Sequence, residues 1–511
     1  MIVARITNPE KTNMMTTLSR STIWAFLVTA LLFCVTSQAH AQGDAPAKRP
    51  NILLAIADDW GLHAGAYGTP VVKTPTFDRL AREGARCDQA YVSSPSCTPS
   101  RGALLTGQYH WRLKSAANLW SIFPDEFVTY PDLLAANGYF IGKTGKAWGP
   151  GRTETRSRQP AGQNYPSFAQ FLAAWNEANV DEESAAPFCF WLGTSDPHRP
   201  YQRGSGEAAG MDLSAIDLPA AFPDNEITRG DVADYFVEVQ RYDKLVGDAV
   251  AALEQAGILD NTIIVMTSDH GMPFPRGKSN IYDLGVRVPL AIRWPGTVQP
   301  GTEYGGFVSL TDLAPTFLHA AGVGVPQEVT GKDLAAEFRG EVKPRDHVVF
   351  GKERHVPAQE APDMGGYPCR GIRTADFLYI SNFRPDRWPN GTPDFENATI
   401  PGVWYGDTDN GPTKTFMVDQ RDNNETTRRL YELAFGKRPA EELYDLRNDP
   451  DQMNNIAADP AYADKLAELS QQLTEILTET QDPRVLGHGD DFETHPYFGR
   501  GPRHPSTRGG N

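Results

Sequence analysis

The chain has 511 residues, with 48 Lys and Arg against 64 Asp and Glu and 40% hydrophobic residues, a globular balance that excludes a disordered, collagenous or coiled-coil protein. A net charge of −16 leaves no basic field to neutralise a polyphosphate, so neither nucleic acid nor an anionic membrane is expected as main partner. An anionic small substrate stays compatible wherever positive side chains converge, and the length suits one large domain plus a smaller one.

Arg20 precedes an apolar run over 23–35, too short to span a bilayer, and Ala39-His40-Ala41 follows as a small-x-small cleavage signal. Residues 1–41 therefore read as a signal peptide, and the mature protein as exported, periplasmic or secreted, with no membrane segment after cleavage. Short apolar runs at 52–57, 188–192, 263–267 and 348–350 read as strands of a parallel sheet covered on both faces. Helical patterns at 76–83, 130–137, 232–256 and 310–321 alternate with them, as in an α/β domain. Pro and Gly cluster around 149–166 and 199–210, which reads as surface loops near the mouth of the sheet. From about residue 366 two short runs over 372–381 predict an antiparallel hairpin, and a final helix is expected over 462–480. The tail after Asp482 reads as an extended wrap or disorder, with His488, His495 and His504 in solvent rather than on a metal. The expected division is a catalytic α/β domain over 42–365 and a smaller α+β subdomain and tail over 366–511.

Beyond the signal, Cys87, Cys97, Cys189 and Cys369 are too few for a disulfide scaffold and enough for one or two bridges. Cys189 sits in an apolar strand and reads as a packing residue. Cys97 lies in the small, polar run Ser96-Cys97-Thr98-Pro99-Ser100-Arg101-Gly102, with nothing in the sequence to bury it. Three strands end in polar groups: Asp58-Asp59, Asp196-Pro197-His198 and Ser268-Asp269-His270. In a parallel sheet these tips share the edge where ligands bind. Three carboxylates there repel unless a hard divalent cation sits among them, although Asp58-Asp59 alone also suits a turn and a helix cap.

Cys97-Thr98-Pro99-Ser100-Arg101, continued by Gly102-Ala103-Leu104-Leu105-Thr106-Gly107, resembles the signature of the type I sulfatases. The rest follows that family's order: the segment 51–61, Gly145-Lys146, Pro197-His198, the segment 267–271, and Leu443-Tyr444-Asp445-Leu446 through Asp449-Pro450 and Asn455. The resemblance covers roughly residues 50–480. It implies an alkaline-phosphatase-like sandwich with a mostly parallel central sheet and a smaller C-terminal α+β domain with an antiparallel sheet. It also implies that Cys97 is oxidised to formylglycine by a formylglycine-generating or equivalent maturation enzyme. Asp58, Asp59, Asp269 and His270 would then form a calcium site that also holds an oxygen of modified Cys97. Arg101 would fasten the formylglycine, and Lys146, His198 and Lys278 would surround the sulfate.

In the implied reaction a hydrated aldehyde attacks sulfur, a neighbouring acid, His198 or Lys278, protonates the leaving oxygen or nitrogen, and the second hydroxyl expels sulfate. Two departures stand out. Relatives commonly carry Gly-Lys-x-His where this chain reads Gly145-Lys146-Ala147-Trp148, leaving Trp148 to face a sugar or fill the cleft wall, with His110 or His355 as substitutes for the missing His. His270 stands where relatives commonly have Asn, which bears on the metal's identity.

Pro273-Phe274-Pro275 and Asp196-Pro197-His198-Arg199 are similar to the heparan N-sulfatase, or sulfamidase, branch. The resemblance thus implies a sulfated carbohydrate as substrate, foremost an N-sulfoglucosamine, with an O-sulfate on another glycan as the alternative. A phosphate or phosphonate ester hydrolase would call for a second set of clustered ligands, and the sequence displays none; a noncatalytic glycan-binding protein would lack the Cys97 nucleophile. Asn390-Gly391-Thr392, Asn397-Ala398-Thr399 and Asn424-Glu425-Thr426 fit the glycosylation pattern.

Overall fold

The computed structural model describes residues 48–179 and 185–507, so the signal-peptide reading of residues 1–41 lies outside the described residues. Eight strands form the main sheet in the spatial order Thr302–Ser309, Ala85–Tyr91, Leu290–Arg293, Thr262–Ser268, Asn51–Ala57, Phe188–Gly193, Phe140–Thr144 and Gln163–Asn164. Neighbours run parallel, except that Leu290–Arg293 is antiparallel to both strands beside it. Alternation of side chains divides each central strand between two cores. Ile52, Leu54 and Ile56 join Ile263 and Val265 on one face; Leu53, Ala55 and Ala57 join Ile264 and Met266 on the other. Helices Tyr130–Ala136 and Leu313–Ala320 pack Leu134 and Phe317 into the first core, and Pro75–Glu83, Phe168–Ala178 and Glu226–Gln255 pack Phe77, Phe171 and Val239 into the second. The helix-covered, mostly parallel sheet expected from the sequence is present.

The second sheet is antiparallel, in the order His347–Lys352, Cys369–Thr374, Phe377–Asn382, Glu441–Asp445. Helix Ala463–Glu479 covers it, setting Leu469, Leu473 and Leu477 against Val349, Ile372 and Leu443. The apolar run 348–350, expected in the parallel sheet, is instead the edge strand here, pairing Val348 with Arg373. A short buried run specifies a strand but not its partner or direction, and this sheet therefore begins upstream of residue 366.

The tail is an extended wrap: Phe498 N donates to Trp120 O (2.9 Å), Trp404 N donates to Pro502 O (3.0 Å), and His504 stacks on Phe395 with ring centroids 3.9 Å apart. His488 is exposed as expected, whereas His495 and His504 are half-buried. Cys87, Cys97, Cys189 and Cys369 are all free and buried, so the expected bridges do not form among the described residues. Asn390 is wholly buried and donates to Ala434 O, which removes it as a glycan acceptor, while Asn397 and Asn424 are exposed.

The parallel strands deliver their tips to one edge. Asp58 N donates to Asp196 O (3.0 Å) and Asp269 N to Ala57 O (3.2 Å), stitching three exits together. Two glycines permit the fourth: a Cβ on Gly193 would lie 1.8 Å from Lys146 O, and one on Gly145 would lie 2.1 Å from Gly193 O.

Candidate active site at the sheet edge

Ser96 is extended (φ −150°), Cys97 opens helix Cys97–Thr106, and Gly107 closes it in the left-handed conformation that glycine adopts without cost (φ 68°). All ten helix residues are buried, and Cys97 is 2% exposed, contrary to the expectation that nothing would cover it. The polar residues are buried because each has a partner: Thr98 Oγ1 donates to Pro150 O and Ser100 Oγ to Asp269 O. Arg101 donates from Nε to Asp269 Oδ2 (2.7 Å), from Nη1 to the carbonyls of Lys146 and Ala147 (3.1 Å each), and from Nη2 to Ala57 O (3.1 Å). It is thus a wholly buried tie between strand exits.

Cys97 Sγ lies 3.5 Å from Asp58 Oδ1 and 3.3 Å from His270 Nε2. Burial pushes its thiol well up, and Asp58 and Asp269 add to this against Lys146 and Lys278. Ligand atoms of Asp58, Asp59, Cys97 and His270 all lie within 4.8 Å of one another. His270 Nδ1 donates to Gly271 O (3.1 Å), which turns the lone pair of Nε2 toward the cluster. Asp59 Oδ1, buried and without a hydrogen-bond partner, faces that nitrogen across 3.2 Å. Acceptors turned toward each other in a buried space fit a cation between them. Asp269 borders this cluster, since its Oδ1 accepts from Asp59 N (3.1 Å) while its Oδ2 is taken by Arg101.

Cations rim the open side. Lys146 Nζ sits 2.6 Å from both oxygens of Asp58, and Lys278 Nζ lies between Asp59 Oδ2 (2.9 Å) and Asp409 Oδ2 (3.0 Å). Burial disfavours both ammonium groups, but the surrounding carboxylates outweigh it and hold them above the usual lysine value, Lys278 well above. Burial likewise opposes ionisation of Asp58 and Asp409, yet Lys146 and His198 for the first, and Lys278 and His198 for the second, keep both carboxyls well below their usual range. His198 Nδ1 donates to Arg199 O (2.6 Å), leaving Nε2 toward Asp59 (3.9 Å) and Asp409 (4.0 Å).

Of the two substitute histidines, His355 reaches the cleft and His110 does not. His355 Nδ1 pairs with Ser96 Oγ (2.8 Å), and burial with the Lys278 charge holds the ring neutral. His110 is buried beside Ser93 and lines neither cleft. Trp148 packs on Phe123 (centroids 5.2 Å) and lines the cleft wall. Asp409 and Asn410 also line the site and were not legible as such in the sequence. The one available signal was Asp407-Thr408-Asp409-Asn410, a polar run in a glycine-bracketed loop before the helix starting at Pro412. Asp59, His198 and Asp409 form a second ligand-like group, which the sequence did not reveal, but the Lys278 ammonium already fills it.

The family model described as Sulfatase matches residues 50–323, more than half of the chain, and that described as N-sulphoglucosamine sulphohydrolase, C-terminal, matches residues 274–388. The human N-sulphoglucosamine sulphohydrolase is 28% identical over 486 residues, covering 86% of this chain and 92% of its own. An ulvan-active sulfatase of Formosa agariphila is 25% identical over 484 residues, covering 86% and 76%. A solved structure in complex with its substrate, D-glucosamine-2-N,6-O-disulfate, superposes with a TM-score of 0.58 at 23% identity over 85% of this chain and 99% of that one, a likeness of fold. With a matched family model across most of the main-sheet domain, the chain belongs to the sulfatase family, enzymes that hydrolyse sulfuric esters or sulfamates.

Proposed function

We propose that this enzyme releases sulfate from a sulfated carbohydrate, with an N-sulfated glucosamine as substrate, and that residue 97 works as formylglycine. One observation carries the reading: Cys97, 3.3 Å from His270 Nε2, lies at the floor of a cleft whose open side is lined by Lys146, His198 and Lys278. Asp58, Asp59 and His270, with Asp269 alongside, suit a divalent cation, and the preponderance of carboxylate oxygen favours calcium. Such a cation would lower the proton affinity of an oxygen carried by residue 97. Formylglycine would supply that oxygen and a second hydroxyl, which a thiol lacks.

The remaining work falls to the chain's own side chains. Lys146 and Lys278, held charged, stabilise the negative charge of the sulfuryl oxygens. His198, whose Nε2 faces the cleft, protonates the departing oxygen or nitrogen. His355, neutral and anchored on Ser96, offers Nε2 as a hydrogen-bonding group in place of the histidine that Trp148 displaces. Arg101 positions Asp269 and the Lys146 segment.

The N-sulfated sugar is favoured by the second family model and the human relative. Pro273-Phe274-Pro275 also backs the His198 loop: Arg199 Nε donates to Pro273 O (3.0 Å) and its guanidinium lies 4.4 Å from the Phe274 ring centre. The ulvan-active relative and an N-acetylglucosamine-6-O-sulfatase of Bacteroides thetaiotaomicron favour an O-sulfate on another glycan as second reading. Lys278 within the second ligand-like group argues against a two-metal phosphoryl site. The reading includes export after cleavage of residues 1–41 and a maturation enzyme acting on Cys97; among the described residues no helix is long and apolar enough to cross a membrane.

Sulfate release is measured from matched N-sulfated and O-sulfated glucosamine oligosaccharides, on protein whose residue-97 peptide has the mass of formylglycine. Release from the N-sulfated set is expected. Release from the O-sulfated set alone overturns the sugar assignment, and release from neither overturns the substrate class.

A further inference from the structure

The catalytic cleft continues into a larger one of about 1190 Å³, and the two share Trp120, Lys146, Pro150, His198 and Phe498 as common wall. The far half is basic in a chain whose net charge is −16. Lys143, Arg152 and Arg156 line it against one carboxylate there, Glu154, which accepts from Asp125 N (2.9 Å), and among the described residues none of the three cations has a carboxylate within 4.0 Å. By contrast, Arg158 on the same wall is already paired with Asp132 at 3.1 Å. Lys143 Nζ donates only to Asn164 Oδ1 (2.9 Å) and, weakly, to Gly145 O (3.5 Å). Arg152 lies over the Phe498 ring at 4.0 Å, and Phe498 is held by its backbone bond to Trp120, an indole 37% exposed. An exposed aromatic beside unpaired cations matches a sugar ring that carries an anion: the apolar ring face meets the indole and the anion meets the guanidinium groups.

Resting on the sulfatase reading above, we propose that this basic extension is a second subsite, which binds a carboxylate or sulfate on the sugar next to the one that loses sulfate. The preferred substrate is accordingly an anionic oligosaccharide. Trp120 and Phe498 carry the neighbouring ring, and Lys143, Arg152 and Arg156 receive its anion. Lys143 lies in the strand Phe140–Thr144 just before the Gly145-Lys146 exit, Arg152 and Arg156 follow that exit, and the aromatic pair comes from residue 120 and the C-terminal wrap, so the subsite joins elements distant in sequence.

The test compares kcat/KM on a sulfated monosaccharide with kcat/KM on three disaccharides whose second sugar carries a carboxylate, a sulfate or no charge. The wild-type enzyme is expected to prefer a charged disaccharide over the monosaccharide by about tenfold or more, and to show no such preference for the uncharged one. The two charged arms identify which anion is bound. In the double variant Arg152→Ala/Arg156→Ala, both side chains being exposed, the preference should fall about tenfold and lose its salt dependence. Trp120→Ala should lower kcat/KM for all three disaccharides alike and leave the ratio of charged to uncharged unchanged. An unchanged preference in the double variant, or equal turnover of charged and uncharged disaccharides, overturns the subsite. Monosaccharide turnover by the wild type separates this failure from failure of the sulfatase reading, which would remove turnover of every substrate.

Discussion

Asp409 belongs to no motif, yet its Oδ2 lies 3.0 Å from Lys278 Nζ and 4.0 Å from His198 Nε2, so one carboxylate addresses both the cation and the acid of the cleft. With Asp59 on its other side, Lys278 is held by two anions in a fixed place. Asp409→Asn keeps the shape and removes the charge. It should lower kcat/KM for sulfate release by about tenfold to a hundredfold, the usual scale for a partner that orients a reacting group. Steady-state kinetics with the residue-97 mass checked in parallel gives the answer; unchanged kinetics would show that Asp59 alone positions Lys278. Arg101 makes the opposite case, a charge that sets geometry from below. Removing it leaves Asp269 Oδ2 and the Ala147 carbonyl without a donor, takes one of two donors from Lys146 O and Ala57 O, and strips the buried Asp269 carboxylate of its paired cation. Arg101→Ala should therefore destabilise the fold by about 3–5 kcal/mol, read as a lower denaturation midpoint, with loss of activity following.

At the scale of elements, the loop 404–410 is built around a single ammonium group. Lys414, on helix Pro412–Asp419 and 1% exposed, donates to Trp404 O (2.9 Å), Tyr405 O (3.2 Å), Thr408 O (2.7 Å) and Asn410 Oδ1 (2.9 Å). That arrangement presents Asp409 and Asn410 to the cleft. Lys414→Met leaves Trp404 O, Thr408 O and Asn410 Oδ1 without their donor and should cost about 3 kcal/mol together with a raised KM. Burial draws the Lys414 ammonium down to about 7 from its usual 10.5; Arg199 adds to the fall, while Asp409 and Asp407 oppose it. Between those values the folded chain has released a proton that the unfolded chain keeps, so stability rises with pH. The contribution is complete above about 10.5 and lost as pH falls through about 7. Urea midpoints across that window should climb more steeply in the wild type than in the Met variant, and parallel slopes would contradict the assignment.

The same scale explains what the sequence could and could not disclose. Asp58-Asp59 and Asp269-His270 were legible because parallel strands of known direction end together, so polarity at a strand tip maps directly onto the cleft. The buried Cys97 helix was not, because its cover comes from partners such as Asp269 O and Pro150 O, supplied by other segments. His355 and Asp409 reach the site through loops around the second sheet, where no periodicity fixes position. Strand His347–Lys352 was misplaced for a related reason: its apolar residues declare burial, while the pairing that sets its sheet lies in the separate segment Cys369–Thr374.

At the scale of the whole molecule, two features gather residues from the full length of the chain around one point. The first is the tail. Arg354 donates to His495 O (2.6 Å), Arg387 pairs with Glu493 (2.8 Å), and residues 497–502 then wall the catalytic cleft. The second is the inward-facing acceptor cluster of Asp58, Asp59 and His270, drawn from two strand tips and meeting a helix N-terminus at Cys97. Without a cation, the carboxylates there depend on Lys146, Lys278 and Arg101 for their balance. A divalent ion bound to the folded state alone adds about 2.7 kcal/mol at a concentration one hundred times its Kd. For a domain of this length, unfolding entropy near 2 cal/mol/K per residue makes that about 3 °C in Tm. Chelation should thus lower Tm by about that amount and abolish sulfate release. Calcium should restore both, with the Tm increment rising with the logarithm of its concentration. Since Asp59 Oδ1 is the acceptor with no partner in the protein, Asp59→Asn should erase the calcium-dependent increment while preserving the fold. An increment that survives in that variant would place the ion elsewhere.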